Sequence, residues 1–259
     1  MSIDSVDLAI IAPALIGGLL VLATHVPLGV QVLARGIVFI DLAVAQVAGL
    51  GVIVAHLAGW QAHAIAVQAA ALLAALAAAL VLTWTERRFP DVQEALIGTM
   101  FALAATGATL VLAGSPHGAE HLKDLLVGQI LWVRSEQLAS VAVVTALVLA
   151  LWFGAGPRLG RLGFYLLFAV SVTASVQLVG IYLVFASLII PALAVRAYGE
   201  ARLVAGYAVG AAAYSVGLVV SAITDLPPGP MIVWALALAA TPVFLRRTPR
   251  RRAGAGSGT

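Results

Sequence analysis

LGFYLLFAVSVTASVQLVGIYLVFASLIIPALAV, residues 162–195, contains no charged side chain. A bilayer's hydrocarbon core takes about 20 residues of helix, so this stretch is too long for one crossing. Gln177 and Gly180 mark a turn near its middle. We therefore expect two helices, near 162–178 and 180–197. The apolar runs of this chain lack the alternation of a barrel strand, so they read as helices.

Outward from this pair, similar runs place helices near 8–34, 36–58, 60–84, 94–114, 138–154, 203–223 and 230–245. The expected fold is all-α: a polytopic transmembrane helical bundle of about nine helices. One permease-sized domain, 1–245, would be followed by a basic, Gly-rich tail at 246–259 (RRTPRRRAGAGSGT) lying near anionic headgroups.

Composition supports this reading. The 259 residues are 63% hydrophobic and only 10% charged. Soluble domains average about 25% charged residues, so too few charges are present to cover a water-facing surface. The chain has no cysteine, which excludes disulfides and thiolate metal sites. The net charge of +3 carries no nucleic-acid signal, because the bases sit at helix ends and in the tail. Residues 1–7 hold two acids and no base, so no cleavable signal peptide is expected and the first apolar run is read as a retained helix.

The bases also set an orientation. With the N-terminus outside and nine alternating helices, the inner segments hold Arg35, Arg87, Arg88, Arg158, Arg161, Arg196, Arg202, Arg246, Arg247, Arg250, Arg251 and Arg252. Only Lys123 and Arg134 fall outside. This bias is what the positive-inside rule requires, and it puts the C-terminus in the cytoplasm.

The external segment 115–137 carries charges around an apolar core, LLVGQILWV, that is too short to span. It reads as a re-entrant or surface-lying helix, either an amphipathic connector or part of a translocation path. The alanine-rich third helix allows close backbone approach. PLG at 27–29 interrupts the first helix, and Pro191 introduces a kink that either borders a pathway or serves packing. DLPPGP at 225–230 forms the last external turn.

Ionisable groups within a bilayer are costly and mark function by default. Asp41 falls five residues into the expected second helix, about 7–8 Å from its start, and Gln46 lies deeper. Asp41 either pairs with Arg35 as a structural ion pair or serves a pathway. Gln46 either bonds a neighbouring helix or joins Asp41. His25 lies late in the first helix, and His56 and His63 straddle the second external turn. His117, Glu120 and His121 supply nitrogen and oxygen donors suited to a divalent cation, or form a solvated loop face, since adjacent Glu120 and His121 point apart on a helix. No Walker A loop, HExxH motif or GxSxG nucleophile is present, so no enzymatic activity is expected.

Three stretches carry a resemblance: PLG at 27–29 with ARGIVFIDLAVAQVAGLG at 34–51; QEALIGTMFALAATG at 93–107 with LLVGQIL at 125–131; and VGIYLVFASLIIPALAVR at 179–196 with SAITDLPPGP at 221–230. In this order the sequence resembles the ABC metal permease family, the membrane subunits of zinc-, manganese- and iron-uptake importers. The resemblance implies a homodimer of membrane subunits in the bacterial cytoplasmic (inner) membrane. It implies as partners a cytoplasmic ATP-binding subunit and an extracytoplasmic metal-binding protein. No permanently bound cofactor is expected; a divalent metal ion would be the transported substrate.

Two departures from the family stand out. The family's second helix often carries an aspartate and, four residues later, a histidine at the metal. Counted from the PLG, those positions hold Leu42 and Gln46, with Asp41 one place earlier and rotated by about 100°. Either Asp41 and Gln46 form an altered, oxygen-rich site or the metal is held elsewhere. The segment before the expected sixth helix, GAGPRLGRLG at 154–163, is shorter than the family's coupling segment, so contact with the ATPase would fall to Arg158 and Arg161 or to TERRFPDVQ at 85–93. A secondary, ion-coupled transporter of metal or a small solute is the alternative reading.

Overall fold

The computed structural model describes residues 8–60, 63–113 and 118–247. Ten α-helices follow in order: α1 (Leu8–Arg35), α2 (Ile40–Leu57), α3 (Ala64–Arg88), α4 (Gln93–Leu112), α5 (Gly118–Val127), α6 (Ser135–Ala155), α7 (Gly160–Val179), α8 (Ile181–Ala194), α9 (Arg202–Thr224) and α10 (Pro228–Arg247). No strand is present among the described residues. Eight helices are long and apolar enough to cross a membrane, and the shorter apolar α8 makes the ninth of the expected set. The chain is a multi-pass membrane protein.

The turn expected inside 162–195 sits at Gly180, whose φ of 80° separates α7 from α8. This hairpin forms the centre of the bundle, and nearly every residue of α8 is buried except on one edge. One group of helices, α2 with α3 and α4, packs on α7. A second group sets α1 against α8 and α9, with α10 closing over α8 and α9. By contrast α6 buries only Thr145 and Val148, as suits an apolar helix with lipid on most sides.

Small residues set the closest crossings. Gly206 and Gly210, one turn apart on α9, face Val26 and Leu22 of α1. Gly51 of α2 lies against Ala70 and Ala74, which is the close approach the alanine-rich third helix allows.

Three expectations are corrected. The first helix is not interrupted at 27–29, because α1 runs through Pro27. Proline at 27 leaves the Ala23 carbonyl without its helical donor, and the Tyr207 hydroxyl of α9 donates to that oxygen at 2.9 Å. The second helix begins at Ile40 rather than 36, since Gly36, with φ of 70°, ends α1 and residues 37–39 form the turn. The helix of the external segment is α5, which starts before the apolar core and stops at Gly128 with φ of 72°. The core's second half is a 3-10 turn, Ile130–Trp132, with Ile130 buried in the bundle.

Contacts tie the arginine-bearing helix ends into one face. Arg35 reaches Glu86 at the end of α3 at 3.8 Å and lies 4.2 Å over the Phe164 ring near the start of α7. The Phe39 amide donates to Glu94 at the start of α4 at 3.2 Å. Arg196 lies 4.4 Å over Phe244 near the end of α10. The expected tail begins inside α10, and from 248 onward it lies outside the described residues.

Candidate functional site: the two ends of helix α2

At the arginine face, Asp41 occupies the first turn of α2. It is 1% exposed, and neither carboxylate oxygen has a partner among the described residues. Its depth is therefore one residue from the helix start rather than five, because the 36–39 turn takes residues that had been read as helix. The structural ion pair with Arg35 is not formed, since Arg35 turns to Glu86 and Phe164. Removing a carboxylate from water costs on the order of several kcal/mol when no donor replaces the solvent. The positive end of the α2 dipole offsets only a part of this, on the order of 1 kcal/mol. Positive charge brought next to Asp41 would be strongly favoured.

Gln46 is also buried, at 6% exposure, and forms no hydrogen bond to another helix among the described residues. The five-residue offset places the Asp41 and Gln46 side chains about 140° apart and about 7.5 Å along the axis. They project toward different neighbours, so α2 alone does not bring them onto one ion. Leu42, on the Gln46 face, is half-buried.

Around this end lies a set of polar groups that the sequence reading did not assign to a site. Gln93 Nε2 donates to the Leu82 carbonyl at 3.1 Å and to the Tyr165 hydroxyl at 3.4 Å. One oxygen each of Glu86 and Glu94 is buried without a partner among the described residues. The charge density of TERRFPDVQE was the available signal, but it gives no indication that Gln93 folds inward.

Midway through the bundle, Thr24 and His25 of α1 meet α7. Ser171 Oγ donates to Thr24 Oγ1 at 2.8 Å, and His25 Nδ1 lies 2.9 Å from the Val21 carbonyl. The His25 ring is fully buried, and its Nε2 has no partner among the described residues.

At the opposite end of α2, a cavity of about 400 Å³ opens among α2, α5, α6 and α7. His56, Asp124, Gln129, Trp132, Gln137 and Gln177 contribute to its lining. The segment that closes it is held by backbone. Gly128 and Gly180, both with positive φ, cross so closely that a Cβ on either would overlap the other strand of chain. A glycine is required at both positions, for conformation and for space.

Of the external donors, His117 lies outside the described residues, as does the side chain of His121, while Glu120 is exposed on α5. Among the described residues, no three His, Asp or Glu side chains converge to hold a metal ion. Arg158, within the four-residue 3-10 turn Gly156–Leu159 that joins α6 to α7, and Arg161, in the first turn of α7, are both exposed. The exposed residues 87–92, with a 3-10 turn at Pro90–Val92, lie on the same face.

Comparison with known proteins adds a frame. A model of the ABC 3 transport family matches residues 7–155 and 153–247. An uncharacterized membrane protein of the ycf23-apcF intergenic region of Cyanophora paradoxa is 24% identical over 188 residues. That match takes in 63% of this chain and spans 62% of the relative's length. The fold is similar to PsaBC from Streptococcus pneumoniae in complex with Fab, with a TM-score of 0.70, 22% identity and 90% of each chain covered. It is also similar to an inward-facing conformation of a metal-chelate type ABC transporter, with a TM-score of 0.72 and 16% identity, covering 91% of this chain and 85% of that one.

Proposed function

The chain belongs to the ABC 3 transport family, and from that premise we propose that it is the pore-forming membrane subunit of an ABC importer for a divalent metal ion of the zinc, manganese or iron class. Two copies would pair in a bacterial cytoplasmic membrane, with the arginine face toward the cytoplasm. A separate ATPase would dock there on Arg158, Arg161 and the 85–93 segment, and a metal-binding protein would deliver cargo to the opposite face. The chain itself carries no Walker A loop, so hydrolysis falls to the partner.

The observation that carries the metal reading is Asp41, a buried carboxylate at a helix end without a partner among the described residues. A passing cation supplies the charge that the fold withholds. Gln46, about 7.5 Å deeper along α2, offers an amide oxygen for the next step. Oxygen donors favour harder, manganese-like ions over zinc. A site with so few donors also suits cargo that must leave again, since a site must be favourable enough to enter and weak enough to release.

Ion-coupled secondary transport would use acids titrating at depth. Among the described residues Asp41 is the one fully buried acid, and it lies at a helix end, which favours primary transport. The test is accumulation of zinc, manganese and iron in cells with and without the chain, with a hydrolysis-dead ATPase partner as a second arm. Uptake that needs both the chain and a working ATPase supports the proposal. Uptake by the purified chain alone, driven by a proton or sodium gradient, would refute it.

A further inference from the structure

The outer cavity is left unused by the pathway residues above. Cavities between α8, α9 and α10 are lined almost wholly by apolar side chains and offer nothing beyond a surface for lipid tails. The outer one differs in kind. His56 from the last turn of α2, Asp124 from α5 and Gln177 from α7 face the same space of about 400 Å³, although more than fifty residues separate each from the next in sequence.

We propose that this cavity is a divalent-cation site, with the His56 imidazole and Asp124 carboxylate as its anchoring donors and the Gln177 amide and water completing the shell. The Asp124 carboxylate has no side-chain partner among the described residues. Gln177 Nε2 is buried at the wall and unpartnered among the described residues. An amide's nitrogen and oxygen exchange places by a flip, which turns an unsatisfied donor into an oxygen ligand. Imidazole, carboxylate and amide form a mixed nitrogen and oxygen set, suited to borderline divalent ions such as manganese, cobalt or zinc.

The fold also fixes these donors relative to one another. The Gly128 amide donates to the Asp124 carbonyl at 2.9 Å, which ties Asp124 to the end of α5. Gln177 lies three residues before Gly180. The close crossing of Gly128 and Gly180 therefore couples the Asp124 donor to the Gln177 donor through backbone. Fifteen residues of α2 separate His56 from Asp41, about 22 Å of helix, so the two sites cannot share an ion. One carboxylate and one imidazole hold a hydrated cation only weakly, which suits a place of arrival. The choice of a cation as occupant rests on the metal-transport reading as well as on the donors.

The experiment is Mn²⁺ titration of the full chain in lipid nanodiscs, with free Mn²⁺ read by electron paramagnetic resonance. The wild type is expected to bind Mn²⁺ in a class of sites whose affinity falls about tenfold or more in Asp124→Asn and in His56→Gln, a scale at which even outer-shell losses are felt. The same class persists in Asp41→Asn, and Zn²⁺ competes for it. Asp124 is exposed and His56 half-buried, so both variants are expected to elute as the wild type does, and each tests the site separately. Wild-type Mn²⁺ affinity in both variants overturns the proposal, as does loss of all binding in Asp41→Asn alone. Absence of metal uptake in cells would remove the transport reading and leave this binding result intact.

Discussion

The two ends of α2 are built on opposite plans. At the arginine face, the helix starts with a carboxylate that the fold buries without a partner among the described residues. At the other face, its last turn carries a histidine into a cavity shared with an acid and amides. The same helix thus joins a sealed charge to a polar, roomier space. The difference lies in what surrounds each end. The first turn of α2 lies on an arginine face closed by direct contacts, with Arg35 drawn to Glu86. The last turn opens on the cavity among α5, α6 and α7, where one backbone crossing pins the end of α5 to the α7–α8 break.

The largest expected effect comes from breaking the outer closure. Gly180→Val places a β-branched residue at φ of 80° and pushes its Cβ into the backbone of residues 127–128. Strain of this kind costs about 1–3 kcal/mol before the collision is counted. Thermal unfolding in one detergent should show a large loss of stability, with accumulation of metal abolished. A fully stable variant would mean that the crossing does not hold the outer end.

At the inner end the signs of function and stability should separate. Asp41→Leu removes an unsatisfied buried polar group, so it should leave stability unchanged or raise it by about 1 kcal/mol or more. Metal accumulation should nevertheless fall about tenfold or more, since a factor of ten needs only about 1.4 kcal/mol of lost interaction. Stability and uptake falling together would make Asp41 a packing residue and erase the contrast. The smallest effect belongs to the pair that draws Arg35 away from Asp41. Glu86→Gln is expected to cost about 1 kcal/mol or less, as partly exposed ion pairs do. A loss several times larger in the same unfolding assay would mean that the arginine face is held by charge more than by packing.

The helices were legible because lipid forces long apolar runs on any chain that crosses it. The start of α2 was not. Residues 36–39, GIVF, are as apolar as the helix that follows, so only the backbone of Gly36 marks the turn. Pro27 misled in the other direction. The Ala23 carbonyl it leaves free is taken up by Tyr207, 184 residues further along the chain. Asp41 stood out in the sequence as a lone acid in a greasy run. Its freedom from Arg35 did not, because pairing depends on where Glu86 lies. The outer cavity was invisible for a similar reason: His56, Asp124 and Gln177 become neighbours only when α5 folds back over the α7–α8 break.

The absence of cysteine allows the contrast to be measured directly. Single cysteines at positions 56 and 41 can be challenged in intact cells with a membrane-impermeant thiol reagent. The account predicts rapid modification of His56→Cys and none of Asp41→Cys. Equal reaction at both positions, or reaction at position 56 only from the cytoplasmic side of inverted vesicles, would contradict it.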